Sequence, residues 1–194
     1  TFKVDPVTME TNVPGIFVSG AFSAPKDIPD SVAQASGAAA RASRTISTER
    51  GKLITKKEYP EEIDVAGQEP RVGVFVCNCG TNIGGVVDVP ALVDYASTLP
   101  CVVYTDQSLF SCAQDNQERM KAVIEEQNIN RVVVAACSPM THEPLFQETI
   151  QDIGLNKYLF EMANIRNQDS WVHSGDPASA TDKAKDLIRM AASS

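Results

Sequence analysis

For residues 72–194 the sequence predicts an α/β fold, a doubly wound and mainly parallel sheet with flanking helices. Three observations carry this. Short apolar runs alternate with stretches of helical amphipathicity. The runs lack the polar alternation of a one-sided sheet, as expected of strands buried on both faces. Enough chain separates consecutive runs for a crossover helix, which parallel neighbours require.

Val72–Val76 is the first predicted strand, a purely apolar run. Val89–Ser97 follows as a short helix, capped near Asp88 and carrying Pro90 in its first turn, where a missing N–H costs nothing. Val102–Thr105 is the second strand. Gln114–Gln127 is a helix whose Met120, Val123 and Ile124 form a stripe at helical spacing. Val132–Ala136 is the third strand and His142–Asp152 the third helix, ended near Gly154. Tyr158–Met162 is the fourth strand, and Pro177–Ala192 the closing helix.

Ahead of this domain the sequence changes character. Residues 1–47 are rich in small residues, with a predicted strand at Ile16–Ser19 ending in Gly20 and an alanine-rich helix over Asp27–Ser43. A strand and a helix cannot enclose a core alone, so this piece reads as part of something larger. Residues 48–71 are dense in charge, interrupted by Pro60 and Pro70, and read as a linker with one short strand at Lys52–Thr55. No internal repeat is visible.

The 194 residues are 43% hydrophobic and 22% charged, a globular balance that excludes disorder and collagen-like fibres. No apolar stretch approaches the roughly 18 residues of a membrane span, and the start resembles no signal peptide. A net charge of −8 disfavours nucleic acid and fits a cytoplasmic protein kept in solution by its charge.

Five cysteines bear on function. An odd number at irregular spacing does not make a secreted disulfide framework. Cys77 and Cys79 lie just past the first strand, Cys112 in the loop after the second, and Cys137 directly after the third. Parallel strands end at one edge, so four distant thiols are brought to one rim, where open α/β sheets bind ligands. Cys101 precedes the second strand and belongs at the opposite rim. Four thiolates suit an iron–sulfur cluster or zinc. The Cys-x-Cys pair, with further ligands arriving singly, favours a bulky cluster over a single small ion. Asn78, Gly80, Gly84 and Gly85 offer backbone N–H groups to its sulfurs.

Plainer readings stand beside this one. A buried cysteine is commonly a small hydrophobe, and Cys77–Cys79 would also serve as a redox pair. Gly80–Gly85 lacks the dinucleotide fingerprint. His142 and His173 either support the rim or act at the surface as caps. Tyr158, Phe160 and Trp171 read as core.

The blocks RVGVFVCNCGTNIGGVVDV from Arg71, Ser111-Cys112, RVVVAACSPMTHEPLF and YLFEMANIRNQDSWVH occur in order over most of Arg71–His173. Together they resemble the A subunit of heterodisulfide reductase, an iron–sulfur flavoprotein. That resemblance implies a 4Fe–4S cluster with cysteine ligands at Cys77, Cys79, Cys112 and Cys137, leaving out Cys101. A second stretch, Thr11–Ala42, is similar to the end of the FAD-binding domain in the same family. It implies flavin contacts at Gly20, Ala21, Lys26, Asp27, Ile28 and Pro29, where a helix start faces the flavin. Many relatives carry Asp where this chain has Ala21. Under the resemblance residues 1–47 are the tail of one FAD-binding domain, 48–71 a linker, and 72–194 the cysteine-rich domain of a following module. FAD then binds in a longer parent, with the site incomplete here.

The resulting expectation is an electron-transfer domain of an oxidoreductase in anaerobic metabolism, relaying electrons between FAD and partner subunits through the cluster. The resemblance implies as partners the other heterodisulfide reductase-like subunits and a ferredoxin or hydrogenase, and allows for a homodimer. The fragment itself need not be catalytic. A cluster-free or zinc-holding docking module and a thiol–disulfide catalyst are the alternatives.

Overall fold

The computed structural model describes residues 3–194. They form two compact units, one ending at Lys57 and the other running from Glu58 to Ser194.

In the second unit four parallel strands lie in the order β2-β1-β3-β4. They are β1 (Val72–Cys77), β2 (Val102–Ser108), β3 (Arg131–Ala136) and β4 (Phe160–Asn164). All six residues of β1 are buried and five of six in β3, because these are the inner strands and carry side chains into both layers. Register runs Val76↔Ala135 between β1 and β3, and Ala136↔Asn164 between β3 and β4. The connections are α2 (Val89–Ala96), α3 (Gln114–Glu126) and α4 (Pro139–Gln151), with α5 (Pro177–Ala192) closing the unit. Helices α2 and α5 pack together over the sheet, while α3 pairs with α4. Leu92, Phe146, Ile150, Ile165 and Ile188 fill the two layers with no exposed surface to speak of.

Local chemistry sets the element ends. Asp88 caps α2 by accepting from the Ala91 N–H at 3.1 Å, and Asp176 caps α5 by accepting from Ser179 N–H at 3.2 Å. Helix α4 begins three residues earlier than the sequence suggests, since Ser138-Pro139 provides an extended cap followed by a proline in the first turn. β2 runs three residues further than expected, to Ser108, because it keeps pairing with β1 up to Cys77↔Ser108. β4 starts two residues late: the Asn156 side chain accepts from Tyr158 N–H at 2.9 Å, so residues 156–159 turn before the strand can pair.

The charged segment from Glu58 is stitched to the second unit. Ile63 N–H donates to Gly154 O at 2.8 Å and Asn156 Nδ2 to Glu62 Oε1 at 2.9 Å. Buried Asn130 accepts from Arg71 N–H at 2.7 Å and donates to Glu69 O at 3.0 Å. The strand expected at Lys52–Thr55 is a turn followed by chain without regular structure.

In the first unit α1 spans Ile28–Thr45, capped by Asp27, and buries only Ala38. The strand expected at Ile16–Ser19 is reduced to one antiparallel bridge, Phe17 with Glu10. Thr11 N–H donates to Ile16 O at 2.8 Å across the Val13–Gly15 turn, so the segment folds back on its own neighbours and builds no ladder. Among the described residues no helix is long and apolar enough to cross a membrane.

Asn130→Ala strips three backbone and side-chain groups at the strand entrance of their partner. Denaturant unfolding should show a loss of about 1–3 kcal/mol with an unchanged slope.

Candidate metal centre

In a parallel sheet every strand ends at the same edge. Strand order reverses between β1 and β3, since the chain moves outward to β2 on one side and to β4 on the other. Such a reversal opens a crevice at the strand ends. Cys77 is the last residue of β1, and Cys79 caps the short turn Gly80–Asn82 that follows. Cys112 stands two residues ahead of α3, and Cys137 lies between β3 and the Ser138 cap of α4. Cys77 interacts electrostatically with Cys79 and Cys112, and Cys137 with Cys112 and Cys79. The four thiols predicted from the sequence therefore form one group. All five cysteines are unbonded to one another. Cys101 sits apart at the opposite edge, where its carbonyl accepts from Val72 N–H at the start of β1. There it lines a cavity of about 810 Å³ with Leu99, Tyr158 and Arg189, away from the four thiols.

Burial pushes the Cys77 thiol up from its ordinary value, while Ser111 opposes the shift with hydrogen bonds from both its backbone and its side chain. Burial also raises Cys137, against the pull of the Arg166 guanidinium. A buried thiol with a raised pKa is a poor nucleophile, which weighs against a thiol–disulfide catalyst. A metal displaces that proton on binding. The first turns of α3 and α4 follow Cys112 and Cys137 directly, and their unpaired N–H groups favour negative charge there.

The glycine-rich loop after Cys79 is compact, because close approaches fill it. Gly80 has φ +41°, and a Cβ on Gly85 would lie 2.9 Å from the Thr81 backbone. Its N–H groups are mostly spent within the protein: Asn78 donates to Ser108 O, Gly80 to Asn78 O, and Gly85 to Gly80 O. Those three are not free for a ligand, contrary to expectation. Ser111, fully buried and within 2.9 Å of the Ser108 hydroxyl, is the polar neighbour that sequence reasoning passed over. Its position directly before Cys112 was the available signal.

Four thiols at one rim are a donor set of the kind that iron–sulfur clusters and zinc use. Among the described residues no three His, Cys, Asp or Glu side chains are arranged around one ion position.

The remaining candidates fall elsewhere. His142 lies in the first turn of α4, while His173 Nε2 is 3.2 Å from Lys183 Nζ, beside Asp169. Phe160 is core, but Trp171 and Tyr158 are exposed, against expectation. Trp171 donates from Nε1 to Asn82 Oδ1 at 3.3 Å, and Tyr158 is held in the turn before β4. In the first unit Gly20 N–H donates to Gln34 Oε1 at 2.8 Å, and the Asp27 carboxylate accepts from Asp30 N–H at 2.8 Å. Ala21, Ile28 and Pro29 are exposed and Lys26 half-buried around the start of α1.

No protein-family model matches the chain. Among curated proteins it is 56% identical, over 124 residues, to the A subunit of the H(2):CoB-CoM heterodisulfide,ferredoxin reductase of Methanothermobacter thermautotrophicus, a match covering 64% of this chain and 19% of the relative. The protein of the same name from Methanothermobacter marburgensis is 54% identical over 131 residues, 68% of this chain and 20% of its own length. The second A-type iron-sulfur subunit of the CoB--CoM heterodisulfide reductase of Methanopyrus kandleri is 54% identical over 127 residues, 66% and 19% of the two chains. Over about two thirds of its length the chain is thus a homologue of the heterodisulfide reductase A subunit, and it spans about a fifth of the curated relatives it matches.

One buried carboxylate lies outside the thiol group, beside His173. Asp169 is fully buried with neither carboxylate oxygen hydrogen-bonded, and burial pushes its pKa up to about 6 against the pull of Lys183 and His173. Protonation therefore favours the folded state. The contribution is full below about pH 4 and is lost as pH rises through about 6. Asp169→Asn should flatten the difference in unfolding free energy between pH 4.5 and pH 7.5, by up to about 2 kcal/mol relative to wild type. Paired denaturation series at the two pH values measure it.

Proposed function

We propose that this homologue of part of the heterodisulfide reductase A subunit is an electron-transfer segment of an oxidoreductase. Cys77, Cys79, Cys112 and Cys137 would hold a 4Fe–4S cluster, for electrons passing between the FAD of a longer protein and partner subunits. The observation that carries the reading is the sorting of the five cysteines: four at the strand-terminal crevice within mutual electrostatic reach, and Cys101 at the other edge. A cluster supplies one-electron chemistry without bond making in the protein.

The chain's own residues supply the surroundings. The four thiolates ligate, Ser111 orients the Cys77 sulfur and donates to it, and the packed Gly80–Gly85 loop keeps water from that side. Leu109, Phe110 and Trp171 on loops and Met140 in the first turn of α4, all exposed, give a partner an apolar surface to cover. By their names the two Methanothermobacter relatives act on ferredoxin and the CoB–CoM heterodisulfide. A ferredoxin-type carrier and sister subunits in the cytoplasm are accordingly the proposed partners. In the first unit, Gly20, Ala21, Lys26, Asp27, Ile28 and Pro29 are proposed as one wall of an FAD site completed by other parts of the parent.

Anaerobic reconstitution of the 194-residue chain with iron and sulfide tests the reading. Wild type and Cys101→Ala should each take up about four iron atoms and show broad visible absorption bleached by dithionite. Alanine at Cys77, Cys79, Cys112 or Cys137 should lower iron uptake severalfold while far-ultraviolet circular dichroism stays the same. A colourless wild type that retains zinc would instead establish the docking module.

A further inference from the structure

The sharpest unexplained feature of the crevice is a single turn of π-helix, Arg166–Ser170, directly after β4. Isolated π turns are rare and concentrate at functional sites. This one opens on an arginine beside a cysteine. Ala136 pairs with Asn164, and Ile165 N–H donates to Ala136 O at 2.9 Å, so Cys137 and Arg166 leave adjacent strands side by side.

The arginine is held rather than free. Its guanidinium lies 4.8 Å from the centre of the Trp171 ring, and its Nε donates to Asn167 Oδ1 at 3.1 Å. Trp171 donates in turn to Asn82 Oδ1, and Ser170 Oγ donates to Asn82 O at 2.5 Å. Asn82 closes the turn begun at Cys79. The π turn therefore clamps the loop that carries Cys79 and presents its cation to Cys137, with no carboxylate in ion-pair range of Arg166 among the described residues. Its charge also works against the burial of Cys137. Half-buried charge in a low-dielectric crevice is screened far less than at an open surface.

We propose that Arg166, stacked on Trp171, is a positioning residue that sets the reduction potential of the centre ligated by Cys137, raising it by holding unpaired positive charge beside that ligand. The proposal rests on the cluster reading above. An electron arriving from a donor makes no bond and leaves the ligated centre one charge more negative, and a fixed neighbouring cation lowers the free energy of that reduced state.

The test is a redox titration, with dithionite as reductant, of the reconstituted chain as wild type, Arg166→Gln and Arg166→Lys, read by electron paramagnetic resonance and visible absorption. Iron content should match in all three. At a fixed ambient potential near the midpoint, Arg166→Gln should lower the reduced-to-oxidised ratio at least threefold, about 30 mV for a one-electron couple. Arg166→Lys, which keeps the charge but not the planar stack, should fall between. Equal midpoints at equal iron content would overturn the role of Arg166 and leave the cluster reading standing. A wild type without iron would overturn both.

Discussion

Everything at the candidate centre depends on the polarity of the sheet. Because all four strands run the same way, residues separated by sixty positions in the chain emerge at one edge, and the edge is fixed by hydrogen-bonded register rather than by loop packing. Shifting β3 by one residue against β1 would turn its buried side chains over and carry Cys137 away from Cys77. The apolar packing of Val74, Val76, Val132 and Val134 on both faces makes that slip costly. Core and site are thus one constraint: the side chains that hold the register also hold the thiols together.

The same arrangement creates an electrostatic difficulty. Two of the thiols are buried enough that desolvation opposes their ionisation. Four thiolates around any core concentrate negative charge in a half-dry crevice, inside a chain of net charge −8. The fold answers locally. Two helices begin immediately after Cys112 and Cys137, Ser111 donates to Cys77, and Arg166 stands beside Cys137. None of these would neutralise the site alone, but each acts within a turn or two of a sulfur, where low dielectric makes modest charges effective.

What was legible in the sequence follows from what is periodic. β1, α2 and α5 appear where apolar runs, Asp88 and Pro177 place them, because capping and burial are local properties. The segregation of Cys101 from the other four followed from topology alone. The misreadings share a different cause. Tyr158 and Trp171 looked like core by residue type, yet an asparagine turn exposes one and an arginine stack exposes the other. The donors at Gly80 and Gly85 looked available because a glycine-rich string says nothing about where its N–H groups point. Asp169 carried no signal at all. Burial of a lone carboxylate is decided by the π turn and α5, two elements that meet only in the folded state.

One short element, the π turn, accounts for both the exposed Trp171 and the buried Asp169. Adding a residue to a helical turn costs regular hydrogen bonding, and it exposes Trp171 while sinking Asp169 without a partner. Such costs persist where the surroundings hold the element in place. Here β3, Asn82 and Lys183 all grip the turn: Ile165 N–H on Ala136 O, Ser170 on Asn82 O, and Lys183 Nζ on Gln168 O. A regular α-turn would start from the same strand end but would rotate the residues after Arg166 by a large fraction of a turn. Trp171 would then lose Asn82, and Arg166 its aromatic platform. The irregularity is therefore the geometry by which a strand end, a glycine loop and a cation meet at one cysteine.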